Sequence, residues 1–183
     1  MITTAAFDCF GTIFDMSNFP KHEIADYVAH VKRNDFTEYA FNGPWWELKA
    51  FPDVKEGLEV LDSIGICCYA FSNGRKRLLE TLFENNNLTF TDVWDPTEHN
   101  VYKPHPAAYP AFCDWVGANP ANCLMVTANP TFGDVEGAAV IGMKPWVIRH
   151  GRMRDVGSLA EHFVMIKKLE AAIESMRDGG SQP

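Results

Sequence analysis

Asp8 ends a short apolar run over residues 4–8 and is followed by Phe10, Gly11 and Thr12. If that run is a strand of a parallel sheet, its terminal carboxylate stands in the crevice where such sheets take ligands. The Gly-Thr turn behind it offers backbone N–H groups that can hold an anion. Read alone, the same Asp could equally do no more than cap a turn. Ser72 and Asn73 follow a second apolar run, 66–71. The hydroxyl can donate to a bound oxygen and the amide can cap the next helix, although Ser-Asn-Gly is also an ordinary turn. Lys103, in Val-Tyr-Lys-Pro-His-Pro, could hold the Asp8 carboxylate ionised and oriented; a solvent-facing lysine is the alternative. A carboxylate, a hydroxyl and an ammonium at strand tips suit nucleophilic attack with charge stabilisation.

These residues need a sheet to bring them together. Short β-like runs at 4–8, 66–72, 90–94, 123–127 and 146–148 alternate with helical stretches at 52–63, 75–85, 106–116, 134–141 and 159–176. That alternation predicts an α/β fold, a Rossmann-like parallel sheet flanked by helices. Leu78, Leu79, Leu82 and Phe83 recur at helical spacing, Pro106 opens a helix at a tolerated position, and the small-residue helix 134–141 should pack closely. Residues 16–51 interrupt the alternation with a helix at 22–32 and an aromatic segment containing Phe36, Tyr39, Phe41, Trp45 and Trp46. Those rings can fill a small core or cover the crevice. Residues 178–183 read as a frayed tail.

The 183 residues suffice for one domain with a small lid, and the net charge of −8 argues against nucleic-acid and anionic-membrane surfaces. Five cysteines without ligand spacing read as reduced thiols, three of them in or beside apolar runs, in a soluble cytoplasmic protein. No apolar run is long enough to span a bilayer, and Asp8 interrupts any secretory core. The six histidines form no zinc-like set.

In order along the chain, Asp8, Ser72, Lys103 and the stretch Thr127-Ala128-Asn129 to Asp134 resemble the motifs of the haloacid dehalogenase-like hydrolase superfamily. The resemblance covers roughly residues 1–15 and 52–150, and implies a core domain of 1–15 and 52–178, a short helical cap at 16–51 and a flexible tail at 179–183. It departs from the phosphatase majority twice. Phe10 stands where phosphatases keep a second Asp, and Asn129 stands where they keep a metal-binding acid. Alkoxide departure normally needs a proton, and losing general acid catalysis costs roughly 10²–10⁴-fold; halide leaves without one. Mg²⁺ prefers hard oxygen ligands and commonly uses carboxylates, so Asn129 weakens that site.

Both departures point to the 2-haloacid dehalogenase branch, with no metal and no cofactor. The resemblance implies that Asp8 displaces halide from a small halogenated carboxylic acid and forms an ester. Water then attacks the ester, oriented by Asp134, with Lys103 tuning the charge. Ser72 and Asn129 join the catalytic set, and Phe10, Thr12, Asn73, Tyr109 and Thr127 the substrate-binding set. Tyr109 matches a tyrosine near the substrate in that branch but could equally be core. Longer caps in the branch supply an arginine to grip the substrate; the only arginine in 16–51 is Arg33, in a segment that also reads as a solvated turn. A divergent phosphatase and a catalytically weak binding protein are the alternatives. A homodimer through exposed rings of 36–51 is a further expectation of the resemblance.

Overall fold

The computed structural model describes residues 1–150 and 155–179. Five parallel strands form one sheet: β1 Thr4–Phe7, β2 Cys67–Ala70, β3 Asp92–Val93, β4 Cys123–Thr127 and β5 Lys144–Val147, in the order β3-β2-β1-β4-β5. Period-two alternation divides the core between the two faces. Ala5, Phe7, Leu124 and Val126 pack on one side, and Ala6, Cys123 and Met125 on the other. The register pairs Phe7 with both Ala70 and Val126. Asp8, Ser72 and Thr127 therefore reach the same carboxyl edge, whatever their separation in sequence.

The helices are α1 Lys21–Lys32, α2 Val54–Ser63, α3 Lys76–Asn85, α4 Ala108–Val116, α5 Asp134–Val140 and α6 Val156–Gly179. Two sequence expectations shift for clear reasons. α4 begins at Ala108 rather than at Pro106, and it carries Pro110 in its first turn, where the missing N–H has no intrahelical partner to lose. α6 begins at Val156 rather than 159: Asp53 Oδ2 accepts from the N–H groups of Val156 (2.8 Å) and Gly157 (3.3 Å), and Asp155 Oδ1 from that of Ser158 (2.8 Å). Two of those three bonds come from about a hundred residues away, beyond the reach of local pattern. β3 has only two residues, and β5 starts two residues earlier than expected, with Pro145 tolerated because β5 is an edge strand. The frayed tail is corrected at 178 and 179, which continue α6; its remainder, 180–183, lies outside the described residues.

Residues 16–51 contain α1 and a 3-10 turn, Gly43–Glu47. Their two stems are pinned together where they leave the core: Asp15 N–H donates to Lys49 O (2.8 Å), and Phe51 N–H to Ile13 O (3.0 Å). The aromatic segment is turned inward. Phe41 and Trp45 are buried, and Phe36, Tyr39 and Trp46 are half-buried. Burial of these rings supplies the cohesion a one-helix insertion otherwise lacks. All five cysteines are free thiols, Cys67 alone among them exposed.

Candidate active site

β1 delivers Asp8 to the sheet edge, where its N–H still bonds Val126 O at 2.9 Å. Asp8 Oδ1 lies 3.1 Å from Lys103 Nζ, and Oδ2 accepts from Thr12 Oγ1 at 3.0 Å. Thr12 Oγ1 accepts in turn from the Ala128 N–H at 2.9 Å, tying the loop after β1 to the loop after β4. Lys103 Nζ also meets both oxygens of Asp134, at 3.0 and 3.1 Å. One ammonium is thus shared by two carboxylates. The side chains of Lys103 and Asp134 are 5% exposed against 15% for Asp8, so of the three it is Asp8 that faces an incoming molecule.

Burial raises the Asp8 carboxyl above its ordinary range; Lys103 and the Thr12 hydroxyl pull it back only in part, and the Asp134 charge pushes it further up. Burial alone would lower Lys103, but Asp134 and Asp8 together hold it above its ordinary value. The lysine therefore stays charged beside a carboxylate that is costly to ionise. A high-energy carboxylate with a free lone pair is a competent nucleophile.

Tyr109 donates to Asp134 Oδ1 at 3.1 Å and to Gly133 O at 3.2 Å. Burial and the Asp134 charge push its phenol well above the ordinary value, so it remains a donor. Its ring lies against α5 because Gly137 has no side chain: a Cβ there would sit 2.1 Å from Tyr109 Cε2. Tyr109 is fully buried in the core. Its ring is packed in the core while its hydroxyl reaches Asp134.

Phe10 turns its ring toward the insertion, 5.1 Å from Trp45 in an edge-on arrangement. A Cβ at Gly74 would lie 3.0 Å from the Phe10 ring, so the ring is wedged between the 72–74 turn and the cap aromatics. The Phe10 carbonyl accepts from Asn129 Nδ2 at 3.3 Å. The positions that would hold Mg²⁺ in an acid-bearing relative are here an amide donating to a carbonyl. Asp134 is meanwhile occupied by Lys103 and Tyr109. This donor set does not fit Mg²⁺, and among the described residues no three His, Cys, Asp or Glu side chains cluster as metal ligands.

The remaining expected residues divide. Ser72 and Thr127 are buried at the edge; their hydroxyls accept from Gly74 N–H (3.2 Å) and Asn129 N–H (3.1 Å). Asn73, on the turn after β2, is turned toward the lysine. Its Nδ2 donates to Lys103 O and its Oδ1 accepts from Lys103 N–H, both at 2.8 Å, so the amide is used in holding the lysine. Arg33 lies in the insertion. It caps the C-terminus of α1 with an exposed side chain, and solvation of a helix end is cheaper than burying an unpaired guanidinium.

Three participants were missed by sequence reading. Tyr27 of α1 donates from its hydroxyl to Asn73 O. Arg75 bonds Asp95 Oδ2 through Nε at 3.1 Å, and its NH1 reaches Thr37 O at 3.5 Å. His150 Nε2 lies 2.8 Å from Thr12 O, with its ring stacked on Phe51. No spacing could have signalled these contacts, because each joins segments 20 to 138 residues apart. Among the described residues no helix is long and apolar enough to cross a membrane.

A profile of the haloacid dehalogenase-like hydrolases matches residues 20–142. Over 98 residues the chain is 33% identical to (S)-2-haloacid dehalogenase 4A of Burkholderia cepacia, covering 52% of this chain and 42% of that one. Over 107 residues it is 31% identical to haloacetate dehalogenase H-2 of Moraxella sp. (strain B), covering 57% and 47%. The chain thus spans less than half the length of these curated relatives. The fold is shared with the L-2-haloacid dehalogenase of Xanthobacter autotrophicus solved with chloropropionic acid covalently bound: TM-score 0.67 at 21% identity, over 90% of this chain and 83% of that one.

Proposed function

The chain belongs to the haloacid dehalogenase-like hydrolases, and from that premise we propose that it hydrolyses a small 2-haloacid to the 2-hydroxy acid through an ester on Asp8. The observation that carries this reading is the Asp8–Lys103–Asp134 arrangement with Phe10 in the proton donor's place and the Asn129 amide on the Phe10 carbonyl. A halide leaves as a weak base, so a phenyl ring there costs the reaction nothing, whereas alkoxide departure from phosphorus loses its acid.

In the first step an Asp8 oxygen attacks the halogen-bearing carbon, the carbon–oxygen bond forms, and the carbon–halogen bond breaks with its electron pair on the halide. In the second, water gives a proton toward Asp134 as it adds to the ester carbonyl, the bond between the Asp8 carbonyl carbon and the substrate oxygen breaks, that oxygen takes one proton and leaves as the 2-hydroxy acid, the other proton passes to solvent, and the Asp8 carboxylate is restored. Asp134, oriented by Tyr109, is placed to direct that water. Lys103 steadies the charge through both steps, and Thr12, Ser72, Thr127 and Asn129 supply donors to the substrate carboxylate or the oxyanion. The donor set argues for a metal-independent reaction. Residues 1–15 and 52–178 act as core and 16–51 as a short cap that shields the site. Its aromatic underside takes the place of a longer helical lid. The five free thiols suit a reducing cytoplasm. Covalently bound chloropropionic acid in the similar Xanthobacter enzyme supports the ester route.

The test is halide release from a panel of 2-haloacids, with and without EDTA, using Asp8→Asn as control. Release that survives EDTA and vanishes in the variant is the expected result. Mg²⁺-dependent turnover of phosphomonoesters without halide release would overturn it.

A further inference from the structure

Tyr27 lies in the insertion, yet its hydroxyl bonds the main chain of the core at Asn73 O. The residue is only 5% exposed, and its ring packs on Tyr39, Phe41 and Trp45 at 4.9, 5.0 and 5.5 Å. Asn73 is no passive acceptor. Its amide exchanges two 2.8 Å bonds with the Lys103 main chain, and the Lys103 ammonium stands between Asp8 and Asp134. A second bond from the insertion lands one residue upstream. Tyr102 OH donates to Asp35 O at 2.8 Å, with Phe36 stacked on the Tyr102 ring at 4.9 Å. The insertion therefore grips the chain carrying Lys103 from both sides.

We propose that Tyr27 is a positioning residue, which makes the placement of Lys103 against Asp8 depend on the seating of the 16–51 insertion. The proposal rests on Asp8 being the nucleophile. Removing the Tyr27 hydroxyl keeps the aromatic packing and deletes the one bond that fixes Asn73 to α1. The 72–74 turn then loosens, and Lys103 follows it through the paired amide bonds. The groups facing Asp8 are Lys103, Asp134, Thr12, the Cys9 thiol and Tyr109; among the described residues Lys103 alone of these is hydrogen-bonded to Asn73. A looser ammonium offsets less of the cost of burying the carboxylate.

The test compares the intact chain with Tyr27→Phe and with Tyr39→Phe, a ring of the same cluster whose hydroxyl bonds nothing in the core among the described residues. Two readouts are taken: carbon NMR titration of the Asp8 carboxyl, and halide-release kinetics. Tyr27→Phe is expected to raise the Asp8 pKa by about half a unit to one unit. It should lower kcat about tenfold with KM changed less than about twofold, while Tyr39→Phe moves neither. If Asp8 titrates unchanged and kcat holds while only the melting temperature falls, the proposal is overturned and Tyr27 is a packing residue. Should Tyr27→Phe fail to fold, Tyr102→Phe removes the companion bond; a rise in the Asp8 pKa supports the coupling, and no rise overturns it. Lack of halide release in the intact chain would sink the proposed activity instead, because the titration reads the coupling without turnover.

Discussion

Asp8 and Asp95 are carboxylates just beyond the ends of strands, 15% and 7% exposed and each beside one cation, and they are driven in opposite directions. Asp95 receives four bonds: Thr97 N–H (2.9 Å) and Oγ1 (2.7 Å) on one oxygen, Lys76 N–H (3.0 Å) and Arg75 Nε (3.1 Å) on the other. Burial pushes its carboxyl up, but these donors together hold it below the ordinary value. Among the described residues Asp8 receives only Lys103 and Thr12 on its side chain, shares the lysine with Asp134, and is held above the ordinary value. A carboxylate with every lone pair engaged is a brace; one with lone pairs left over in the same dry setting is a reagent.

Exchanging each acid for its amide should separate the two most widely. Asp8→Asn is expected to reduce halide release by roughly 10⁴-fold or more, the scale seen when a nucleophile is removed. Asp95→Asn should leave it within about tenfold, since Asp95 meets no reacting group. Loss of turnover in both would mean that the two sites are not separate in role. Next in size, Lys103→Met strands two buried carboxylates, and kcat should fall about 10²–10³-fold. A methionine variant with full activity would remove the lysine from the mechanism.

Stability should separate the pair as well. Asp95→Asn leaves Arg75 without its partner and is expected to cost about 3 kcal/mol by urea unfolding at neutral pH. Because the folded carboxyl lies below its ordinary 3.8, the stability it contributes is present above that pH and is lost as pH falls through the folded value. The gap between Asp95→Asn and the intact chain should therefore close in acid. Asp8 carries the reverse sign: its raised carboxyl makes ionisation a cost to the fold, so Asp8→Asn should not destabilise at neutral pH.

The smallest expected effect is in the pH profile. The acid limb of kcat/KM should fall above pH 3.8, since Asp8 must be ionised to attack. Lys103, held above 10.5, should contribute no alkaline limb below that pH. An acid limb at or below 3.8 would show that Lys103 outweighs burial at Asp8.

Much of this molecule was legible in its residues. Five strands and six helices follow from apolar periodicity, and Asp8, Ser72, Lys103, Thr127 and Asp134 stand near strand tips because the turn chemistry after each apolar run put them there. Phe10 and Asn129 stand out once the motif order is matched to the family, and on that resemblance rests the expectation of halide departure without Mg²⁺. The sequence could not say that Asn73 spends its amide on Lys103, that Arg33 faces solvent, or that Tyr27, Arg75 and His150 brace the site. Period and turn propensity are local, set within a few residues by backbone sterics and solvation. Which donor fills which lone pair is decided only when β1, β2 and β4 lie side by side, and that count of donors is what separates the under-bonded Asp8 from the braced Asp95.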